Sequence, residues 1–516
     1  MLLNKQARAS KKFYNRCGGF YMKPFRIIAT TDVHGSLLSH SYTNNERVSS
    51  GLSRFSTALK YYQSQECILI DNGDVLQGTP LTTFNNKYEE SSIMADAFNA
   101  LNYDYYNLGN HDFNYGQEVL GRYINQQQAK PLCCNILIDE KPVGKTQIYT
   151  TQEGLKLAFI GVVTDYIENW EKPENINNIK ILDVFDIIQK EVDQVRQQVD
   201  HVIVVYHGGF ERDLITNEPT ERLTGENIGS KLTTIKGIDV IISGHQHRSF
   251  VVTINDVLCL QCANNASEFM MIEYNGSFKG HVIPTNQFNI DHDFEKLFYY
   301  SEKKTQEWLD TQIGQGPDMT IDNVFQAQLN KPMFTSFINQ FAREYFKADL
   351  AFSSLFNNSP GLGPNITMRD LVASYPFPNT LTLIEIDKET LLDYLEQNAT
   401  YFILKNDEIG INPKFIKPKL QMYNYDLGDG LSYTIDVSLP EGQRIKDLVL
   451  PDKETFTMVT NNYRASGGGD FYMIKNCPKI KEDPNEVVDL LYDYILNNSP
   501  LQINHEHNIL VVNKEN

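Results

Sequence analysis

Between Phe25 and about residue 285 the chain alternates short, mostly apolar runs with polar clusters. The runs are "FRIIA" (25–29), "CILI" (67–70), "LAFIGVV" (157–163), "HVIVVY" (201–206) and "IDVIIS" (238–243). Apolar residues in unbroken series, without polar alternation, are the pattern of strands covered on both faces. Between them, "SSIMADAFNALN" (91–102) and "DVFDIIQKEVDQVRQQV" (183–199) carry apolar residues at helical spacing. This pattern predicts an α/β domain over residues 22–290.

Next, "DFEKLFYYSEKKTQEWLDTQIG" (293–314) keeps helical spacing and ends on a glycine, which predicts a linker helix over 291–316. A helix packed wholly on one domain fits the same pattern. Beyond it, helical stretches ("MFTSFINQFAREYF", "KETLLDYLEQNATYF", "EVVDLLYDYILNN") mix with alternating, strand-like ones ("TLTLIEI", "LSYTIDVSL", "TFTMVTNN"). They predict an α+β domain over 317–516. The globular pattern starts at Met22, so residues 1–21 are expected to be a disordered lead or an upstream start-site choice.

The bulk numbers agree with two domains, since 516 residues exceed the roughly 250–300 at which single cores stop growing. A net charge of −19 argues against a protein that grips a nucleic-acid polymer by its phosphates. Seven cysteines, an odd and sparse set, show no disulfide framework. The basic first residues lack the apolar run of a secretory signal, and no apolar segment approaches 20 residues. A cytoplasmic protein with no membrane partner is expected.

The chemistry lies in the polar clusters. "TTDVHG" follows the first run and "DNGDVLQG" the second; "GNHDF", "HGG" and "GHQH" come after "YDYYNL", the fourth run and the fifth. In an open α/β sheet, ligands bind outside the carboxyl ends of strands, so these clusters can converge. Taken singly, each residue has a plain structural reading: Asp32 or Asp74 as a helix N-cap, Asn110 as a turn residue, any of the histidines as a hydrogen-bonded support. Their joint occurrence at successive strand ends points elsewhere. Asp32, His34, Asp74, Asn110, His207, His245 and His247 offer the mixed nitrogen and oxygen ligands that suit manganese, iron, zinc or cobalt. Seven ligands exceed what one ion needs, and two divalent ions sharing a carboxylate fit better.

In their order, "DVHG", "GDVLQG", "GNHDF", "HGG" and "GHQH" resemble the signature of the calcineurin-like metallophosphoesterases. The resemblance implies a four-layer α/β/β/α sandwich. It implies one ion held by Asp32, His34, Asp74 and His247 and another by Asp74, Asn110, His207 and His245. The second half resembles the C-terminal domain of 5′-nucleotidases, and more closely that of 2′,3′-cyclic-nucleotide phosphodiesterase/3′-nucleotidases. The carrying stretches are "ITMRDLVASYPFPNTL" (366–381), "YNYDLGDGLSYTIDVS" (423–438) and "NNYRASGGGDF" (461–471).

The expected reaction is attack on phosphorus by a hydroxide bridging two divalent ions. His111 is implied as the group that meets the leaving oxygen, and Asp112 as a support for the ligand turn. Asn114 stands where many 5′-nucleotidases carry a carboxylate. An amide orients an imidazole but lends it no charge, and the cyclic-nucleotide branch carries Asn there. Phe377 and Tyr463 match the positions at which the family clamps a base between two rings, and Asp470 is a candidate acceptor for the base. "SGGGDF" (466–471) lacks the Gly-Lys-Ser/Thr ending of a phosphate-cradling P-loop. The Asn-Gly-Gly-x-Arg motif of many 5′-nucleotidases is missing, with "SSLFNNSPG" (353–361) near its place.

The expected substrate is therefore a small nucleotide, above all a 2′,3′-cyclic nucleotide or 3′-nucleotide. A 5′-nucleotidase or nucleotide-diphosphate-sugar hydrolase is the alternative, and a nucleotide-binding protein that keeps the fold without catalysis is the reading outside enzymes.

Overall fold

The computed structural model describes residues 24–513, except 44, 45, 64, 221, 222, 378, 418 and 484. The expected lead at 1–21 lies outside the described residues. In chain order the first domain lays down β1 (Phe25–Thr30), β2 (Glu66–Asp71), β3 (Tyr105–Tyr106), β4 (Lys130–Pro131), β5 (Gln147–Thr150), β6 (Lys156–Val163), β7 (His201–His207), β8 (Val240–Ser243), β9 (Phe250–Ile254) and β10 (Val257–Gln261). It then closes with β11 (Glu268–Tyr274) and β12 (Phe278–Pro284). Two six-stranded sheets result, ordered β12-β11-β1-β2-β3-β4 and β9-β10-β8-β7-β6-β5. β1 to β4 are parallel, as are β6, β7, β8 and β10.

The unbroken apolar runs have the cause expected of them. In β1, Ile27 and Ala29 enter a core shared with Phe159 of β6, Ile203 of β7 and Ile242 of β8, while Ile28 joins the helical core on the other side. In β7, Val204 faces outward onto α4 (Val184–Val195). Helices α1 (Leu52–Tyr62) and α3 (Ile93–Leu101) cover the first sheet. The layers are thus helix, sheet, sheet, helix. Both faces of each central strand are buried, so neither face has polar positions.

The single helix expected over 291–316 is two helices and a strand: α5 (His292–Lys296), α6 (Tyr299–Leu309) and a strand at Gln312–Gln315. The break falls at Leu297 and Phe298. The backbone amide of Leu297 bonds Phe294 O and that of Phe298 bonds Glu295 O, both three residues back, which tightens and ends the first helix. α6 then packs Trp308 against Phe84 of α2 (Pro80–Tyr88), with ring centroids 5.6 Å apart.

The second domain is built on a mixed sheet of β13 (Leu350–Ser354), β14 (Leu381–Asp387), β15 (Asp426–Asp429), β16 (Thr455–Asn461) and β17 (Lys479–Glu482), ordered β15-β13-β16-β14-β17. Two cores flank it. One holds α7 (Met333–Phe346) and α9 (Val487–Asn498), and the other holds α8 (Lys388–Ala399). Among the described residues no helix is long and apolar enough to cross a membrane.

Candidate active site

β1, β2, β3, β7 and β8 all end on the same edge of the stacked sheets, and the five polar clusters leave from there. Two buried asparagines tie the sheets together at that edge. Asn72 Nδ2 donates to Tyr206 O at 3.0 Å, and Asn107 Nδ2 donates to Val162 O and Val205 O at 2.8 and 3.1 Å. The turns after the strands are tight. Asp32, His34, Asp74, His245 and His247 have φ of 53°, 49°, 60°, 68° and 55°, in the left-handed region that costs an L residue free energy. Five residues held in that way at one spot mark a site whose shape matters more than local backbone comfort. Gly109 belongs to the same requirement, because a Cβ there would collide with the Asp74 carboxylate.

Six of the seven sequence-predicted ligands come together in two groups, Asp32 with His34 and His247, and Asp74 with His207 and His245. In the first, His247 Nε2 lies 3.1 Å from His34 Nε2 and 3.3 Å from Asp32 Oδ1. In the second, His207 Nε2 lies 3.2 Å from Asp74 Oδ2, and Asn110 Oδ1 lies 2.8 Å from His245 Nδ1. Asp74 Oδ2 is also 3.9 Å from His34 Nε2, so one carboxylate oxygen faces both groups.

The donor set fits a pair of divalent ions on a further ground. His207 is fully buried, its Nδ1 faces Asn72 O at 2.6 Å, and among the described residues its Nε2 makes no well-aligned hydrogen bond, with Asp74 Oδ2 standing 3.2 Å off. His34 Nδ1 likewise faces Gln77 O at 3.0 Å. A carbonyl on one ring nitrogen fixes the tautomer and leaves the other nitrogen's lone pair for a metal. His245 is held the opposite way, with Nε2 3.0 Å from Glu226 Oε1 and Nδ1 turned to Asn110. Trp170 stacks on the same ring at 5.5 Å and 27°.

Electrostatics point the same way. Burial alone would push the Asp74 and Asp32 carboxyls up, yet both are held below the usual range: Asp74 by His207, His111 and His34, Asp32 by His247 and His207. Burial pushes the His34 imidazole down to about 4. Burial also works against a charged His207, but Asp74 and Asp32 overcome it and raise that ring to about 10. Two carboxylates therefore stay charged where burial alone would neutralise them, while burial holds the His34 and His247 rings neutral.

Asp112 does not reach toward either group. Its two oxygens accept the backbone N–H of Asp74, Gly109, Val75 and Leu76 at 3.0, 2.8, 2.8 and 3.0 Å, which ties the second and third clusters together. His111 bonds Asp74 Oδ1 through its backbone N–H at 2.7 Å, and its Nδ1 faces Asn114 Oδ1 at 2.8 Å.

The second domain meets the site. Phe377 brings its ring to 6.2 Å from His111 and is backed by Phe356 at 5.1 Å, and Gln77 Nε2 donates to Pro376 O at 3.2 Å. Tyr463 follows β16, where Leu381 pairs with Asn461 and the Asn462 N–H bonds Thr380 O at 2.9 Å. The segments carrying the two rings are therefore neighbours. Asp470 is exposed at φ 69°. The glycines before it serve Arg464: Gly468 O accepts from Nη1 at 2.6 Å, and a Cβ on Gly469 would collide with the guanidinium.

Sequence reasoning missed Asn72, Asn107, Glu226 and Trp170. Asn72 and Asn107 stood inside the quoted strand-end segments. Glu226 and Trp170 lie in loops without any local pattern, and only their partners give them meaning.

Residues 25–249 match the calcineurin-like phosphoesterase family, and residues 312–476 match the 5′-nucleotidase C-terminal domain. A Staphylococcus aureus structure, provisionally assigned as a 5′-nucleotidase and solved with α-ketoglutarate, is 32% identical with a TM-score of 0.88. That similarity covers 95% of this chain and 99% of that one. The chain belongs to the 5′-nucleotidase family of metallophosphoesterases. A 2′,3′-cyclic-nucleotide 2′-phosphodiesterase/3′-nucleotidase of Haemophilus influenzae is 25% identical over 91% of this chain and 84% of that protein. The trifunctional nucleotide phosphoesterase protein YfkN of Bacillus subtilis is 25% identical over 91% of this chain, which spans only 38% of its length. Family membership and the site's composition make this a metal-dependent phosphoric ester hydrolase of the nucleotidase type.

Proposed function

We propose that this member of the 5′-nucleotidase family hydrolyses 2′,3′-cyclic nucleotides and 3′-nucleotides. The observation that carries the chemistry is Asp74 Oδ2, 3.2 Å from His207 and 3.9 Å from His34, facing both ligand groups. Asp32, His34, Asp74 and His247 would hold one divalent ion, and Asp74, Asn110, His207 and His245 the other. Bound there, two such ions neutralise phosphoryl charge and supply an activated water near neutral pH. His111 has Nδ1 engaged by Asn114, so Nε2 remains to give a proton to the departing ribose oxygen. Asp112 keeps the ligand turns fixed while charge moves.

The choice of substrate is supported by the amide at Asn114 and by the relatives of Haemophilus influenzae, Salmonella typhimurium and Yersinia enterocolitica that carry the cyclic-nucleotide name. A 5′-nucleotidase is the second reading, supported by the Staphylococcus aureus structure. Turnover of 2′,3′-cyclic AMP, 3′-AMP and 5′-AMP with manganese supplied separates them. The cyclic ester and the 3′-nucleotide are expected to be preferred, and failure to open the cyclic ester sinks the first reading.

Phe377 and Tyr463 are assigned to the base. Stacking on one ring contributes roughly 1–3 kcal/mol. Phe377→Ala and Tyr463→Ala are each expected to raise KM for 3′-AMP by about tenfold and leave kcat within about threefold. Unchanged KM in both variants removes the two rings from the substrate site.

A further inference from the structure

The contacts that start at His111 do not end at Asn114. Asn114 Nδ2 donates to Glu171 Oε2 at 2.7 Å while its Oδ1 faces His111 Nδ1 at 2.8 Å. The other oxygen, Glu171 Oε1, accepts from Asn175 Nδ2 at 2.7 Å and from the Lys172 N–H at 2.9 Å. Asn175 Nδ2 also donates to the Asn114 carbonyl at 2.9 Å. Glu171 directly follows Trp170, the residue that stacks on His245, so one loop braces both sides of the ligand cluster.

This arrangement removes an ambiguity that an amide otherwise carries. A carboxylate only accepts, so the NH2 end of Asn114 must point to Glu171 and the oxygen must point to His111. His111 Nδ1 then has to be the donor and carry the hydrogen. Without Glu171, the amide is free to turn and offer its NH2 to Nδ1, which selects the other neutral tautomer.

We propose that Glu171 is a positioning residue for His111, acting through the Asn114 amide to hold the ring with Nδ1 protonated and Nε2 left for the leaving oxygen. The proposal rests on the phosphoester reading above. In the step it serves, the bond from phosphorus to the leaving oxygen breaks and its electron pair stays on that oxygen. The Nε2 hydrogen of the charged His111 ring moves onto the same oxygen, as the oxygen of the attacking water bonds phosphorus from the opposite side. Among the described residues Nε2 has no protein partner, as a group reserved for substrate requires.

The test compares Glu171→Leu with Glu171→Asp, whose carboxylate can still only accept. Two substrates are used: 3′-AMP, whose ribose oxygen needs a proton to leave, and p-nitrophenyl phosphate, whose phenolate leaves unaided. Glu171→Leu is expected to lower kcat for 3′-AMP by about 10- to 100-fold, in the range of other outer partners of a site. With p-nitrophenyl phosphate the change is expected to stay within about threefold, and Glu171→Asp to keep more of the 3′-AMP rate than Glu171→Leu does. Equal losses on both substrates overturn the proposal, because damage to the metal cluster lowers both. Independently, 15N shifts of the His111 ring at alkaline pH are expected to show the Nδ1–H tautomer in wild type and Glu171→Asp and a mixture in Glu171→Leu. An unchanged ring in Glu171→Leu also overturns it. If wild type cleaves no nucleotide, the phosphoester reading fails, whereas the tautomer still decides what Glu171 does.

Discussion

Asp74→Ala is expected to lower the phosphoesterase rate by about 10⁴-fold or more, a loss of roughly 5.5 kcal/mol of transition-state stabilisation. Asp74 is the carboxylate that faces both ligand groups, and its other oxygen accepts the His111 backbone N–H at 2.7 Å. One substitution therefore removes a carboxylate oxygen from both groups and a tether of His111. Bound metal, counted by elemental analysis after gel filtration, is expected to fall from two ions per chain to one or fewer. The fold is expected to survive. Burial and the nearby Asp74 charge push the Asp112 carboxyl up to about 6, so removing Asp74 relieves a like-charge repulsion between buried groups.

That relief has a sign that can be measured in metal-free protein. With a folded value raised above the unfolded one of about 3.9, Asp112 binds a proton more tightly when folded. Its contribution to stability is present at low pH and is lost as pH rises from about 4 to 6. His34, held down at about 4, works with the opposite sign over the same window, so the expected reading is the difference between the two metal-free proteins: Asp74→Ala gains on wild type as pH rises toward 6. If Asp74→Ala keeps its metal and its rate, neither the two-ion reading nor the role given to Asp74 stands.

Asp426→Ala is expected to have the largest effect on stability, about 3–5 kcal/mol, the usual consequence of leaving one member of a buried ion pair alone. Arg464 is 1% exposed and is bound bidentately by Asp426, with Nε and Nη2 at 2.8 and 3.0 Å. Tyr394 donates to the same carboxylate at 2.5 Å, and the remaining guanidinium hydrogens go to Gly468 O, Tyr423 O and Asn424 Oδ1 at 2.6, 2.9 and 3.4 Å. In a domain of this size the loss corresponds to about 10–15 °C in Tm, read by calorimetry. Arg464 lies beside Tyr463 and holds the 466–471 turn, so KM for nucleotides should rise in the same variant. An isosteric apolar pair, Asp426→Leu with Arg464→Met, is expected to restore most of the stability while KM stays raised, because apolar packing replaces the pair's cohesion and not its hold on the turn. A Tm within about 3 °C of wild type in Asp426→Ala rules the pair out as the anchor of that turn.

Several structural features can be read directly from residues. The central strands β1, β2, β6, β7 and β8 are legible because each buries both faces, which leaves a short apolar run without polar alternation. α7 and α9 are legible to within a residue, since their apolar stripes repeat over three turns or more. The region 291–316 misled because its helical spacing continues across Leu297 and Phe298, while the chain turns there to seat α6 against Phe84. Periodicity records which side is apolar and not whether the axis is straight.

The site divides along similar lines. Asp32, His34, Asp74, Asn110, His207, His245 and His247 could be named from sequence because metal chemistry restricts the residue types and strand ends restrict their places. What the sequence determined by itself is this set of candidate donors, the layers that carry them, and the family they resemble. What only the tertiary structure decided is how each is aimed: the carbonyls of Asn72 and Gln77 that fix two rings, Glu226 behind His245, Asp112 beneath the ligand turns, and Glu171 behind Asn114. The physical reason is that a ligand's identity is a property of its own atoms, whereas its orientation and tautomer depend on a hydrogen-bond partner as many as 135 residues away, as between His207 and Asn72. Nothing in the local sequence of either partner records that distance being closed.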